Sequence, residues 1–310
     1  MAPKKIAILL ARVLALVVIM AVLIALGGQV MSAPQAVKEA ATSSAQVFKP
    51  LTPEEEQAAA KILLVVALLN TLVIAYIVQR ARWRGWKLIV AMFVFFYGAA
   101  WFMAQIESAV FLTTFSNEMI ARLMLMGFII AAPFSVLAPA IFGKLKGANE
   151  EPPAEMHHGS DLVIKVGVIA LIYVVVYFTF GYYVAWKNPA VQAYYSGTDP
   201  GSLRLQLAAV AQGTWWLYPL QFVRGIMWAL IALPIVRMTK GPWWHAGLAL
   251  SLGLGVLTSS QLLFPNSFMP EAVRMAHLVE VSTSNFVFGW IVAFVLTRRP
   301  HTAQLRVAAA

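Results

Sequence analysis

The sequence predicts an all-α, polytopic membrane bundle of about eight transmembrane helices, set out as two four-helix repeats that run in parallel. Three observations predict it. Of the 310 residues, 61% are hydrophobic and 12% charged, and the mean hydropathy is +0.76. A soluble domain carries about twice that charge, and a soluble fold could not hide so much apolar surface from water. Second, apolar runs long enough to cross a bilayer recur along the whole chain, and none shows the period-two alternation of a barrel strand. Third, the order of turns and polar patches in the first half returns in the second.

The first run is Ile6–Leu26, preceded by Lys4 and Lys5. With the small residues at Ser32-Ala33 it resembles a signal peptide. Its length of about 21 residues exceeds the usual apolar core of 7–15, so it reads as a retained anchor. A long polar loop, Gly27–Lys61, follows. Within it, Thr52-Pro53-Glu54-Glu55 sets up a helix start, on a segment that could lie along the surface or meet a partner. The next runs are Ile62–Val78, Trp86–Phe111 and Met119–Phe142. A polar segment with Pro152-Pro153, Gly143–Asp161, then reads as a linker. Its adjacent His157 and His158 read as solvated rather than as metal ligands. The remaining runs are Leu162–Trp186, Leu217–Val236, Trp243–Phe264 and Met275–Leu296, with a second long loop at Lys187–Trp216.

Basic residues set the expected orientation. Lys4 and Lys5, the group Arg80, Arg82, Arg84 and Lys87, the pair Lys144 and Lys146, the pair Arg237 and Lys240, and finally Arg298, Arg299 and Arg306 all fall on one side if every run spans. That side is expected to be cytoplasmic, with both termini inside, in a bacterial inner (plasma) membrane. A formal charge of +10 would raise nucleic acid as a partner for a soluble protein. Here the charges sit in short loops, so membrane lipid is the expected partner and nucleic acid is not. A membrane-protein partner or a second copy of the chain is the other candidate. The chain has no cysteine, which excludes disulfides, thiolate metal sites and cysteine nucleophiles.

The repeat is read from order and spacing. Ile77-Val78-Gln79-Arg80, then Trp83 and Trp86, match Ile235-Val236-Arg237, then Trp243 and Trp244. Each following run ends in a polar patch, Gln105-Ile106-Glu107-Ser108 in one half and Ser259-Ser260-Gln261 in the other. Residues 1–142 form the first expected repeat, 143–161 the linker and 162–310 the second. An even number of helices per half makes the repeats parallel, related by an axis along the membrane normal.

Ionisable groups within spans are costly and are the first candidates for function. On the last run, His277, Glu280 and Ser284 are spaced i, i+3, i+7 and share one face. Arg274 lies near that face and Asn285 at its margin. Gln221 and Arg224 on the sixth run, and Ser260 and Gln261 on the seventh, come to a similar depth. These nine residues form the expected substrate-binding cluster, confined to the second half. In the first half, Gln105, Glu107 and Arg122 are secondary candidates, with Glu107 expected to pair with Arg122. Gln105 and Glu107 are about 160° apart on their helix, so only one of them can face a given cavity. A plainer reading makes Arg224 and Glu280 an ion pair that only fixes packing. Gly247, Ser251 and Gly255 form a small-residue stripe suited to close helix contact.

The leading expectation is a transporter-like or permease-like protein handling a small solute or lipid headgroup. Arg224, Arg274 and His277 against Glu280 lean positive, which favours an anionic one. A second reading is an intramembrane enzyme using His277 and Glu280; no spacing specifies a catalytic triad. A third is a non-catalytic subunit or assembly factor of a membrane complex. Neither a cofactor nor a metal is expected, because the His277–Glu280 pair lacks further ligands at its level.

Overall fold

A computed structural model of the chain describes residues 3–31, 51–112, 115–150, 159–266 and 269–298. Ser32-Ala33, most of the first long loop, His157-His158, Arg299 and Arg306 lie outside them. Every regular element among the described residues is a helix. Eight are long and apolar enough to cross a membrane: α1 (Pro3–Gly28), α2 (Pro53–Arg80), α3 (Gly85–Phe111), α4 (Asn117–Ile141), α5 (Asp161–Trp186), α8 (Leu217–Met238), α9 (Trp243–Leu263) and α10 (Glu271–Thr297). Two shorter helices, α6 (Pro189–Tyr194) and α7 (Leu203–Gly213), lie between α5 and α8.

The start of α2 differs from the expected loop boundary at Lys61. Thr52 caps the helix: its Oγ1 accepts from the Glu55 N–H at 3.2 Å, and the Glu55 carboxylate accepts from the Thr52 N–H at 2.7 Å. This reciprocal box satisfies two orphan donors, and Pro53 needs none. The polar turns that follow run straight into the apolar span, so this segment is the first part of α2 rather than a separate surface helix. Thr52→Ala is expected to cost about 1 kcal/mol and to raise hydrogen exchange in the first turn of α2 while leaving later turns protected. Unchanged exchange there would show the box to be idle.

The helices pack in two groups. In the first, α1 lies on α2 and α4, and α3 on α4; in the second, α5 lies on α8 and α10, and α9 on α10. The groups meet where α3 packs on α8 and α2 on α9. The core between them is rich in aromatic rings, with Phe95, Phe96, Phe134 and Phe288 fully buried. The expected small-residue stripe is the seam between α9 and α10. A side chain at Gly247 would enter the Trp290 ring, and one at Gly289 would meet the backbone of Ser251.

At one end the α2–α3 and α8–α9 turns bond to each other. Ala81 and Thr239 form an isolated antiparallel bridge; the Arg82 N–H donates to Met238 O at 2.6 Å and the Lys240 N–H to Arg80 O at 2.8 Å. Basic side chains hold the same turns. Lys144 Nζ donates to the carbonyls of Gln79 and Ala81 at 3.0 and 2.6 Å, and Arg82 to that of Thr239 at 2.9 Å. This end carries α4's C-terminal turn as well; the loop with α6 and α7 lies at the opposite end.

Candidate functional site

Three of the described spans do not run as unbroken α-helices. Each of α3, α5 and α9 contains a π-helical turn that opens on glycine: Gly98–Phe102, Gly181–Trp186 and Gly253–Leu257. A π turn inserts one extra residue, re-aims the side chains that follow and is frequent at functional sites. All three border one cavity of about 440 Å³, at the end of the bundle away from the basic turns. Ala99, Ala100, Gly181 and Tyr182 line it from the first two turns, and Thr258, directly after the third, lines it from α9. Its volume falls in the range of small-molecule sites.

Arg224 reaches this cavity because α8 and α5 approach closely. A side chain at Gly225 would stand 2.6 Å from Ala170 Cα, so only glycine permits the contact. The Arg224 guanidinium then lies 5.7 Å from the centre of the Tyr173 ring. Its Nη1 donates to Glu107 Oε1 at 2.5 Å and to Gln221 Oε1 at 2.7 Å. The Arg224 side chain is 4% exposed, but that of Glu107 is 39% exposed, so the pair is half in the packed wall and half in the cavity. Among the described residues, Arg224 Nε and Gln221 Nε2 are enclosed without a protein partner.

On α10, His277 Nδ1 lies 3.1 Å from Glu280 Oε2, and Nε2 lies 3.3 Å from the Tyr195 hydroxyl. Both bonds form in the neutral tautomer whose Nδ1–H donates to Glu280 and whose Nε2 accepts from Tyr195. Burial pushes the Tyr195 hydroxyl well above its ordinary range, helped by Tyr194 and the carboxylates of Glu107 and Glu280, so Tyr195 stays a donor. Tyr195 follows α6 in the loop that covers the cavity, together with Val191, Gln206 and Val210. That cover is tied down by Lys187 to Asp199 at 2.7 Å, by Trp186 Nε1 to Thr198 O at 3.1 Å, and by Tyr218 to Leu207 O at 2.8 Å.

Of the expected cluster, Arg224, Gln261, His277, Glu280, Ser284 and Asn285 line the cavity, and Glu107 joins them from α3. Gln261 Nε2 donates to Ala100 O at 2.6 Å and Asn285 Nδ2 to Thr258 Oγ1 at 3.2 Å. Gln221 stands behind Arg224 as its acceptor. Four other candidates lie elsewhere, Ser260 and Arg274 of the cluster and the secondary Arg122 and Gln105. Ser260 donates to Asn70 on α2 at 2.9 Å, between the two helix groups. Arg274 donates to the carbonyls of Leu262 and Leu263 at 2.8 and 2.9 Å, holding the end of α9. Arg122 pairs with Glu118 one turn away at 2.5 Å. Gln105 is buried apart from the cavity.

Four expectations therefore change. Glu107 pairs with Arg224, not with Arg122, because α3 packs on α8. Arg224 and Glu280 are not each other's partners. The cavity is not confined to the second half, since α3 forms one wall. The positive lean that favoured an anionic solute disappears, because Arg274 is spent on carbonyls and Glu107 is added. Sequence reasoning missed Tyr173, Tyr177, Trp228 and Tyr195, which line the site; an aromatic in an apolar run carries no local mark of facing a cavity. Among the described residues no group of three or more His, Asp or Glu side chains converges as metal ligands would.

In comparison with known proteins, the chain matches no family model, no curated protein and no solved structure. The chemistry of the site rests on its own residues.

Proposed function

We propose that this chain is a transporter-like protein of the bacterial inner membrane that binds a small solute in the cavity walled by α3, α5, α8 and α10. One observation carries the reading. Arg224 with Glu107, and His277 with Glu280, form two pairs that both face one cavity. Intramembrane ionisable groups turned toward a cavity mark solute or ion pathways.

Two parallel four-helix repeats, with both termini cytoplasmic, belong to the same proposal. The packing supports the repeat. The first helix of each group touches its second and fourth, and the second helix of each group meets the third of the other. Counting on from Ile77-Val78 and Ile235-Val236, the bridge partners Ala81 and Thr239 occupy equivalent positions. An antiparallel bridge between equivalent residues is what a two-fold axis produces. The Lys and Arg turns support a cytoplasmic location for that end, which puts the cavity toward the outer face. Lipid is the proposed partner of the apolar faces of α1, α2 and α5.

Proteoliposomes test the reading. Solutes that raise the unfolding temperature of the purified protein are offered for uptake. The wild type is expected to accumulate at least one. Arg224→Lys and Glu280→Gln, checked for native elution and helicity, are expected to lose uptake by tenfold or more. Wild-type uptake by both folded variants would overturn it.

A further inference from the structure

The walls of the cavity favour one class of solute. Among the described residues, the charged and titratable groups facing it are Glu107 on α3, Tyr173, Tyr177 and Tyr182 on α5, Tyr195 in the cover, Arg224 on α8, and His277 and Glu280 on α10. The other elements offer neutral groups: Gln206 on α7, and Thr258 and Gln261 on α9. With His277 neutral, two carboxylates face one guanidinium. Glu107 already has Arg224 as its counter-charge at 2.5 Å. Among the described residues Glu280 has only the imidazole, at 3.1 Å, and is 13% exposed. One negative charge is therefore unmatched, in a wall where unmatched charge is costly. It is balanced either by a proton on the His277–Glu280 pair or by a cation brought from outside.

The rest of the wall identifies that cation. Tyr173, Tyr177, Tyr182, Tyr195, Trp186 and Trp228 line the cavity. Aromatic faces attract ammonium groups, quaternary ones included. A hard inorganic cation instead wants six or more oxygens converging on it, and among the described residues no three carboxylate or imidazole side chains converge. The cavity of about 440 Å³ has room for an apolar body beside the charged head.

We propose that the site takes a monovalent organic cation with an apolar body, in exchange for one proton held by the His277–Glu280 pair. The assignment rests on the cavity being a solute site. On binding, the cation occupies the face of Glu280, the proton leaves the pair for water, and the net charge of the site is unchanged. Tyr195 is hydrogen-bonded to the ring of that pair, so the cover touches the exchanging groups.

The test is calorimetry on the full chain in lipid nanodiscs, with benzyltrimethylammonium as probe and benzylsulfonate as its anionic counterpart. Benzyltrimethylammonium has no proton of its own, so any proton counted comes from the protein. Titration in two buffers of different ionisation enthalpy is expected to show binding of the cation with release approaching one proton. Glu280→Gln is expected to weaken binding at least tenfold and to abolish the release, with partial recovery in Glu280→Asp. The proton count on the wild type needs no variant to fold. Binding of benzylsulfonate in preference to the cation, or equal cation binding by Glu280→Gln without proton release, overturns the proposal. If neither probe binds while the wild type takes up another solute, the organic-cation assignment falls and the solute-site reading stands. If no solute is taken up at all, both fall.

Discussion

Arg224→Leu is expected to destabilise the protein by about 3 kcal/mol, as breaking one side of a buried pair does, and to abolish solute uptake. The single change leaves the Glu107 carboxylate without its counter-charge, in the same cavity as Glu280. It also strips Gln221 of its donor. Removing both charges, with Arg224→Leu and Glu107→Leu together, is expected to restore part of the loss. The coupling should be about 1–3 kcal/mol, reduced from the fully enclosed case because Glu107 opens into the cavity. Thermal unfolding of the wild type, both single variants and the double variant in detergent gives the cycle. Additive losses would show that the two side chains meet without energetic consequence. Uptake should remain lost in the double variant, which separates the pair's part in solute handling from its part in packing.

The second large effect is expected at the α9–α10 seam. A Cβ at Gly289 would lie 2.6 Å from Ser251 Cα and N and 2.7 Å from Leu250 C. These are backbone atoms and cannot rotate aside, so α9 and α10 must separate. Gly289→Ala is expected to cost about 3 kcal/mol, at the upper end for overpacking, and Gly289→Leu to yield no folded protein on size exclusion. Gly167 on α5 is the control, since nothing lies within 4 Å of a Cβ built there. Gly167→Ala should leave unfolding unchanged or slightly improved. Native behaviour of Gly289→Leu would mean that the seam is looser than the contact implies.

Much of this architecture is legible in the amino-acid order because lipid enforces run length. The eight spans appear as apolar runs, and their ends differ from the helix ends mainly where polar turns extend a helix, as at Pro53–Lys61. The face of α10 that carries His277, Glu280 and Ser284 is legible as well, because 3.6-residue periodicity fixes which side chains share a side. What one helix's periodicity cannot say is what stands opposite. Glu107 and Arg224 meet only because α3 packs on α8, and nothing near either residue encodes that contact. Arg274 sits beside His277 in angle, yet its long side chain turns to two carbonyls. The π turns are equally silent: Gly98, Gly181 and Gly253 are ordinary small residues in apolar runs until the helix is seen to widen there. Tyr195 belongs to a loop whose path over the cavity depends on two short capped helices, α6 and α7.

The bridge between Ala81 and Thr239 has a mechanical meaning. It fastens the two helix groups at one end, and the hollow lies at the other. For any rotation of one group against the other, that end would be the fulcrum. A rotation of about 5° about the fastened end carries the far tip of a helix the length of α8, about 33 Å, through about 3 Å. The same rotation hardly disturbs the basic turns. Residues near the fulcrum feel almost none of that displacement, and Arg224, Glu107 and Glu280, far along the arm, feel most of it.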